Sequence, residues 1–159
     1  MNSVEKKSCS AKICVMTQKT LIFIKPDAVD RADEIFKILD RFGAREKTVR
    51  IDSTPRDVME NHYSPHRDKF FFEYVVGEFV DQPIVLALYT GDDVISKMKT
   101  VIGVTDPAMA GTETIRGQFS DDSLEIAVAE KRGVRNAIHR SDSPEEFERE
   151  FAVWKKYFS

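Results

Sequence analysis

The chain has 159 residues, of which 42% are hydrophobic and 32% charged, and its formal net charge at pH 7 is −3. This balance is typical of one folded domain with an apolar core, and it excludes a disordered chain. The acidic net charge argues against general nucleic-acid binding, and no apolar run reaches the length of a membrane span.

The N-terminal segment differs in composition from the rest of the chain. Residues 1–18 are polar and lack the apolar stretch of a signal peptide, so we interpret them as a flexible extension that precedes a single domain at 19–159. Cys9 and Cys14 both lie in this extension, at a spacing that matches no zinc motif. A fold that needs no disulfide suits a reducing compartment, so we expect a cytoplasmic protein.

The first predicted strand is Thr20–Ile24, an apolar β-rich run that is closed by Pro26. Apolar residues at helical spacing then indicate a helix at 32–42. The next two predicted elements are a strand at 46–51 and a helix that is capped by Thr54, starts at Pro55 and ends near Tyr63.

The middle of the chain follows the same alternation. Phe71–Phe79 has its apolar residues on one side of a predicted helix. Pro83–Tyr89 is apolar throughout, which predicts a central, buried strand. A further helix starts at Gly91-Asp92-Asp93 and carries its apolar face to Ile102. From Gly103 to Phe119 the periodicity is lost, which predicts a long loop of the kind that often carries function.

The C-terminal part places a histidine between a strand and a helix. A short helix is predicted within Asp121–Gly133, with a capping box that begins at Asp122. A β-type run at Val134–Ile138 follows, and Ser143-Pro144 then starts the last helix, which we expect to end near residue 156. His139 is therefore expected where N–H groups and a helix dipole favour anions.

The order of these elements predicts an α+β fold. It resembles a ferredoxin-like β-α-β-β-α-β sandwich, with a mainly antiparallel four-stranded sheet and added helices. A doubly wound α/β sheet is the alternative. The sequence has neither a Gly-x-Gly-x-x-Gly motif after the first strand nor a Walker A motif, so a nucleotide would not be bound by those phosphate loops.

His139 is the candidate for chemistry, because a neutral imidazole is a competent nucleophile near pH 7. Glu150, two turns into the last helix, could fix the tautomer of that ring. A satisfied structural histidine and an exposed helical glutamate are the more common cases for such residues taken singly. The cationic and polar groups suited to a nucleoside triphosphate lie at strand ends and in the long loop: Lys25, Lys99, Thr105, Arg116 and Asn136.

Motifs along the chain resemble those of the nucleoside diphosphate kinase family. They are Phe23-Ile-Lys-Pro-Asp27, His62-Tyr63, Phe71-Phe72, Thr105-Asp-Pro107, Thr114-Ile-Arg-Gly117, and Asn136-Ala-Ile-His-Arg-Ser-Asp-Ser143 followed by Glu150. The last is close to the family's Asn-x-x-His-x-Ser-Asp-Ser signature. The resemblance runs in order from about residue 19 to residue 154.

The resemblance implies a role for each matching residue. His139 would be the phosphate-accepting nucleophile, with Glu150 bonded to its other ring nitrogen and Ser141 supporting that pair. The nucleotide contacts that it implies are Lys25 and Tyr63 near the γ-phosphate and the ribose 3′ side, Thr105, Arg116 and Lys99 on the phosphates, Asn136 on the sugar, and Phe71 on the base.

By the same resemblance, the protein would transfer the γ-phosphate of a nucleoside triphosphate, typically ATP, to another nucleoside diphosphate. The route would be ping-pong, through phospho-His139. Mg²⁺ would be bound through the nucleotide phosphates, with no dedicated protein metal site. A homo-oligomer is implied, with a hexamer favoured over a tetramer. The alternatives are a non-catalytic nucleotide-binding regulatory protein and an interaction protein on the same fold.

Three departures from the family pattern stand out. Lys99 occupies a position where the family usually has arginine, which loses the two-pronged geometry of a guanidinium. Arg140 replaces a small residue beside the nucleophile, and the predicted helix at 121–133 is extra sequence. These changes bear on nucleotide preference and assembly more than on the chemistry.

Overall fold

The structure is a computed structural model, which describes residues 16–159. Its strands are β1 (Thr17–Ile24), β2 (Ala44–Ile51), β3 (Ile84–Asp92) and β4 (Ile138–Arg140). They form one sheet in the order β2-β3-β1-β4, and all three pairings are antiparallel. Cys9, Cys14 and the predicted extension up to residue 15 lie outside the described residues, whereas Thr17 and Gln18 belong to β1.

The described residues also form seven α-helices. They are α1 (Ala32–Leu39), α2 (Arg56–His62), α3 (Phe72–Gly77), α4 (Val94–Ile102), α5 (Ile115–Phe119), α6 (Leu124–Ala129) and α7 (Pro144–Trp154). Short 3-10 turns at Pro26–Arg31, Ser64–His66, Pro107–Met109 and Lys155–Tyr157 extend the connections. No helix in this part of the chain has both the length and the apolar character to cross a membrane.

Apolar side chains cover both faces of the sheet, because successive side chains of a strand point to opposite faces. Ile22 and Ile24 pack with residues of α1, α4 and α5, whereas Leu21 and Phe23 pack with residues of α2, α3 and α7. Each of these four side chains is fully buried, which contributes about 1.5–3 kcal/mol per side chain. The predicted ferredoxin-like α+β fold is confirmed, and the antiparallel pairings exclude the doubly wound alternative.

The predicted position of the last strand is wrong. The prediction was 134–138, but β4 is Ile138–Arg140, and His139 lies inside it. Ala137 has a left-handed backbone with φ 70°, so the chain turns there and cannot be extended across it. The Asp27 carboxylate holds this turn by accepting the Ala137 N–H at 3.0 Å.

The predicted loop from 103 to 119 contains a helix. Gly103, with φ 92°, ends α4. The Thr114 hydroxyl then accepts the Gly117 N–H at 3.1 Å and caps α5. This helix has only five residues, which is too short to show an apolar periodicity.

Two predicted helix caps are also wrong. Helix α6 is capped by Ser123, whose hydroxyl accepts the Ile126 N–H at 3.1 Å. Asp122 does not cap it and instead receives two guanidinium hydrogen bonds from Arg132, at 2.7 and 2.9 Å. Thr54 donates its hydroxyl to the Gln82 carbonyl at 2.7 Å and does not cap α2.

Candidate active site

A cleft of about 240 Å³ opens beside β4, at the free edge of the sheet. Seven residues that the sequence predicts for the site line it: Lys25, Tyr63, Thr105, Arg116, Asn136, His139 and Glu150. They come from β4, α5, α7 and the connections that follow β1, α2 and α4 or precede β4, so the fold joins residues that are far apart in sequence. Ser141 lies beneath the cleft and is fully buried.

His139 is held by a ring stack and one hydrogen bond. Its ring stacks on Phe23 of the neighbouring strand, with centroids 4.5 Å apart and an interplanar angle of 20°. Its Nε2 lies 3.0 Å from Glu150 Oε1, which favours a proton on Nε2. The side chain is 17% exposed. Nδ1 is then the ring nitrogen with a lone pair available for chemistry.

Glu150 is a buried carboxylate whose second oxygen is also used. It is 2% exposed, and Ser141 Oγ donates to its Oε2 at 2.6 Å. Ser141 Oγ in turn accepts the Leu21 N–H at 3.2 Å, which ties the pair to β1. Burial would raise the pKa of the Glu150 carboxyl, but the facing His139 ring and these hydrogen bonds outweigh it and lower the pKa to about 2. Glu150 is therefore a carboxylate at neutral pH.

His62 is part of this arrangement, although no role is predicted for it from the sequence. It is 1% exposed, and its Nδ1 accepts the Trp154 Nε1–H at 3.0 Å. Its Nε2 lies 3.9 Å from Glu150 Oε1, and its ring meets the His139 ring edge-on with centroids 4.5 Å apart. Burial, and then the nearby His139, lower the pKa of His62 well below its usual value. His62 is therefore neutral, with its proton on Nε2.

The protonation of His62 decides whether the site can hold a metal ion. Ligand atoms of His62, His139 and Glu150 lie within 4.8 Å of one another, a spacing at which such groups can coordinate a cation. The Trp154 N–H occupies the lone pair of His62 Nδ1, which leaves the proton on the nitrogen that would face the metal. A nitrogen that carries its proton is a poor ligand, so the trio is better suited to hydrogen bonding.

The cationic side of the cleft is unusually buried. Lys25 is 9% exposed, and burial, together with the charge of Arg116, lowers the pKa of its ammonium group to about 8. Arg116 donates to the carbonyl oxygens of Gly103 at 3.1 Å and Ile138 at 2.8 Å. Burial, and then the charge of Arg140, lower the pKa of Arg116 to about 10. All these groups are cationic at neutral pH, which suits an anionic ligand.

Two neutral groups complete the lining. Asn136 donates its side-chain N–H to the Thr105 carbonyl at 2.8 Å, which joins the turn before β4 to the loop after α4. Its Oδ1 is buried without a hydrogen-bond partner among residues 16–159, so it remains available to a ligand hydroxyl. Burial raises the pKa of Tyr63, and its phenol therefore stays protonated and can donate.

Besides Ser141, two predicted residues lie outside the cleft lining. Phe71 is partly buried, with its ring 5.6 Å from that of His66. Lys99 is exposed on the polar side of α4, opposite the buried Met98. Conversely, Arg140 and Arg149 line the cleft although neither was predicted to do so. Arg149 donates to the His62 carbonyl at 2.9 Å, a contact between α7 and α2 that no local motif indicates.

The fold and the cleft define a class: an α+β protein that presents a histidine, backed by a buried carboxylate, to a cationic pocket. The family model described as nucleoside diphosphate kinase matches residues 18–158. The chain therefore belongs to the nucleoside diphosphate kinase family, as its motifs indicated.

Individual relatives agree with this assignment. The chain is 36% identical to a nucleoside diphosphate kinase from Corynebacterium diphtheriae, with 87% of this chain and 97% of that protein covered. It is 34% identical to one from Archaeoglobus fulgidus, over 86% of this chain and 85% of that protein. A solved NDP kinase from Pyrobaculum aerophilum superposes with a TM-score of 0.79 at 26% identity, covering 87% of this chain and 96% of the other.

Proposed function

We propose that the protein moves the γ-phosphate of a nucleoside triphosphate, typically ATP, to another nucleoside diphosphate through phospho-His139. The observation that carries this proposal is the series of hydrogen bonds from Ser141 through Glu150 to His139 Nε2, with Nδ1 left available and Lys25 and Arg116 lining the same cleft. Phosphotransfer between nucleotides is the activity of the family to which the chain belongs. A non-catalytic role on this fold is not favoured.

In the first half-reaction, the Nδ1 lone pair of His139 attacks the γ-phosphorus. The bond between that phosphorus and the bridging oxygen breaks, and the nucleoside diphosphate leaves with the electron pair. Positive charge that develops on the imidazole is stabilised by the Glu150 carboxylate at Nε2. In the second half-reaction, a terminal phosphate oxygen of another nucleoside diphosphate attacks the phosphohistidine, and the neutral ring is restored.

The remaining residues position the phosphates and the nucleoside. Lys25, Arg116, Thr105 and Tyr63 are proposed to hold the phosphates, where cations and donors neutralise the charge on the transferred group. Asn136 is proposed to bond the sugar through its free Oδ1.

Base stacking by Phe71 and phosphate binding by Lys99 stay predictions, because neither side chain lines the cleft.

Mg²⁺ is proposed to enter as part of the substrate, on the nucleotide phosphates. The carboxylates that line the cleft are already engaged: Glu150 with His139 and Ser141, Asp142 with Arg140, and Glu146 with the Asp142 N–H. A hard cation that keeps several waters needs few protein ligands when phosphate oxygens are present. When bound, the ion would neutralise charge on the phosphates.

The assembly is proposed from the family alone, and the cytoplasmic location from a fold that needs no disulfide. We expect a homo-oligomer in the cytoplasm, with a hexamer favoured over a tetramer. Light scattering of the purified protein measures the mass directly, and a monomer would contradict this expectation.

The test of the function is phosphoenzyme formation. Incubation with γ-labelled ATP should give an acid-labile, base-stable label on the protein, and a nucleoside diphosphate should discharge it as labelled triphosphate. His139→Ala should not label, whereas Glu148→Gln, a change of an exposed residue on α7, should. Native-level labelling of His139→Ala would show that phosphate is accepted elsewhere.

A further inference from the structure

The free edge of β4 presents polar groups to the cleft. Hydrogen bonds alternate along an antiparallel strand, and Ser141 N–H donates inward to the Leu21 carbonyl at 3.0 Å. Ile138 and Arg140 therefore turn their backbone N–H and C=O groups to the outer edge. Arg116 occupies part of that edge, with a guanidinium hydrogen bond to the Ile138 carbonyl at 2.8 Å. The Arg140 N–H points to the same outer edge of β4, two residues after Ile138.

Arg140 also brings a second buried guanidinium to this place. Its side chain is 9% exposed and lines the cleft. Its Nε is buried and has no hydrogen-bond partner among residues 16–159, and the same holds for Nε of Arg116. Its contact with a carboxylate is with Asp142, which is 55% exposed at the side chain. Donors left unpaired in a buried site cost free energy unless a ligand satisfies them.

The two arginines also repel each other. Burial lowers the pKa of Arg140, and the charge of Arg140 contributes to the lowered pKa of Arg116. Two neighbouring buried cations are favourable only where an anion compensates them. Glu150 cannot do so, because both of its oxygens are engaged by His139 and Ser141. Asp142, which contacts Arg140, is 55% exposed, and Glu146, whose charge partly offsets the lowered pKa of Arg140, already accepts the Asp142 N–H. A phosphate group in the cleft would satisfy both guanidinium groups.

We infer that Arg140 is a phosphate-binding residue, which contacts the nucleotide in the cleft together with Arg116. This inference rests on the proposed function and deepens it. Arg140 supplies an arginine contact to the phosphates, which the resemblance implies for Lys99, a residue that is exposed and outside the lining. Asp142 holds the Arg140 guanidinium, and a bound phosphate would replace or share that contact.

Steady-state kinetics of three variants test the inference. Arg140→Gln keeps most of the side-chain length and removes the charge, and it should raise the KM for the nucleoside triphosphate about 10- to 100-fold, the range expected for a lost charge-assisted hydrogen bond. Arg140→Lys should recover part of the loss. Arg50→Gln, a matched change of a half-exposed arginine paired with Asp52 on the opposite edge strand, should leave KM unchanged.

A purely structural role for the Arg140–Asp142 pair predicts a different pattern. Asp142→Asn releases Arg140 but keeps its charge, so it should leave the KM unchanged or lower it. If Asp142→Asn and Arg140→Gln raise KM equally, or if Arg140→Gln has the native KM, the inference is wrong. Calorimetric titration with ADP, which needs no turnover, should show the same order of affinities.

Different results would contradict the proposed function and the role of Arg140. A native protein that neither forms a phosphoenzyme nor transfers phosphate would overturn the function itself. A native protein that transfers phosphate, beside an Arg140→Gln variant with unchanged KM and ADP affinity, would overturn only the role of Arg140.

Discussion

Replacing Glu150 with glutamine removes one buried negative charge while nearly preserving size and hydrogen-bonding reach. The carboxyl pKa of about 2, against an ordinary value of 4.5, corresponds to about 3 kcal/mol of native-state stabilisation at 1.36 kcal/mol per tenfold. Because the folded-state pKa is the lower one, this stabilisation is complete above about pH 4.5 and is lost as the pH falls through 2. Glu150→Gln should therefore unfold more easily near neutral pH, by up to about 3 kcal/mol.

The same substitution should slow phosphoenzyme formation about 10- to 100-fold, because the charge facing the developing imidazolium at Nε2 is lost. Rapid-quench labelling with γ-labelled ATP measures that rate, and urea denaturation at pH 6 and pH 3 measures the stability difference, which should shrink at the lower pH. Glu148→Gln, an exposed position on the same helix, is the matched control. A Glu150→Gln protein with native stability and a native labelling rate would refute the reasoning.

Two further predictions concern Lys25 and the inserted segment. The kcat/KM for nucleoside triphosphate should fall as the pH rises through about 8, because the Lys25 pKa is lowered to that value and the cation is lost there. Lys25→Arg should move this fall to higher pH. An unchanged pH profile of the variant would contradict the role of Lys25. Asp122→Asn should lower stability at neutral pH by about 1–2 kcal/mol, because Arg132 hydrogen bonds hold the pKa of Asp122 well below its usual range. That loss should shrink in urea titrations as the pH falls below 3.8, the ordinary pKa of the Asp122 carboxyl, and phosphate transfer should change little.

The central sheet was predictable because its patterns are strong and local. The fully apolar runs in β1 and β3 indicate strands buried on both faces, and the alternation of strand and helix patterns restricts the topology. The short helices and the short strand β4 were not predictable in this way. A left-handed Ala137 gives no compositional signal, since such a backbone normally indicates glycine or asparagine. The position of β4 depends on that residue and on its contact with Asp27.

The residues of the candidate active site also divide into those that local motifs predict and those that depend on tertiary contacts. His139, Lys25 and Glu150 were predictable because they belong to ordered motifs, although sequence alone could not give the 3.0 Å contact between His139 and Glu150. The role of His62 depends on a hydrogen bond to Trp154, 92 residues away. From the sequence, that tryptophan belongs to an apolar helix stripe, and its N–H has no visible partner. Tertiary contacts of this kind cannot be predicted from the periodicity of the sequence.

The buried charges of the cleft explain why it would favour an anionic ligand. Lys25, Arg116 and Arg140 are cations of which little is exposed, and burial lowers the pKa of each. The one buried carboxylate nearby, Glu150, is committed to the nucleophile. The Asp142 carboxylate that pairs with Arg140 is 55% exposed, so the positive charge of the cleft is only partly compensated. A ligand that binds only the folded state stabilises that state by mass action. A polyanionic nucleotide fits that role, because its phosphates would complete the compensation of these cations.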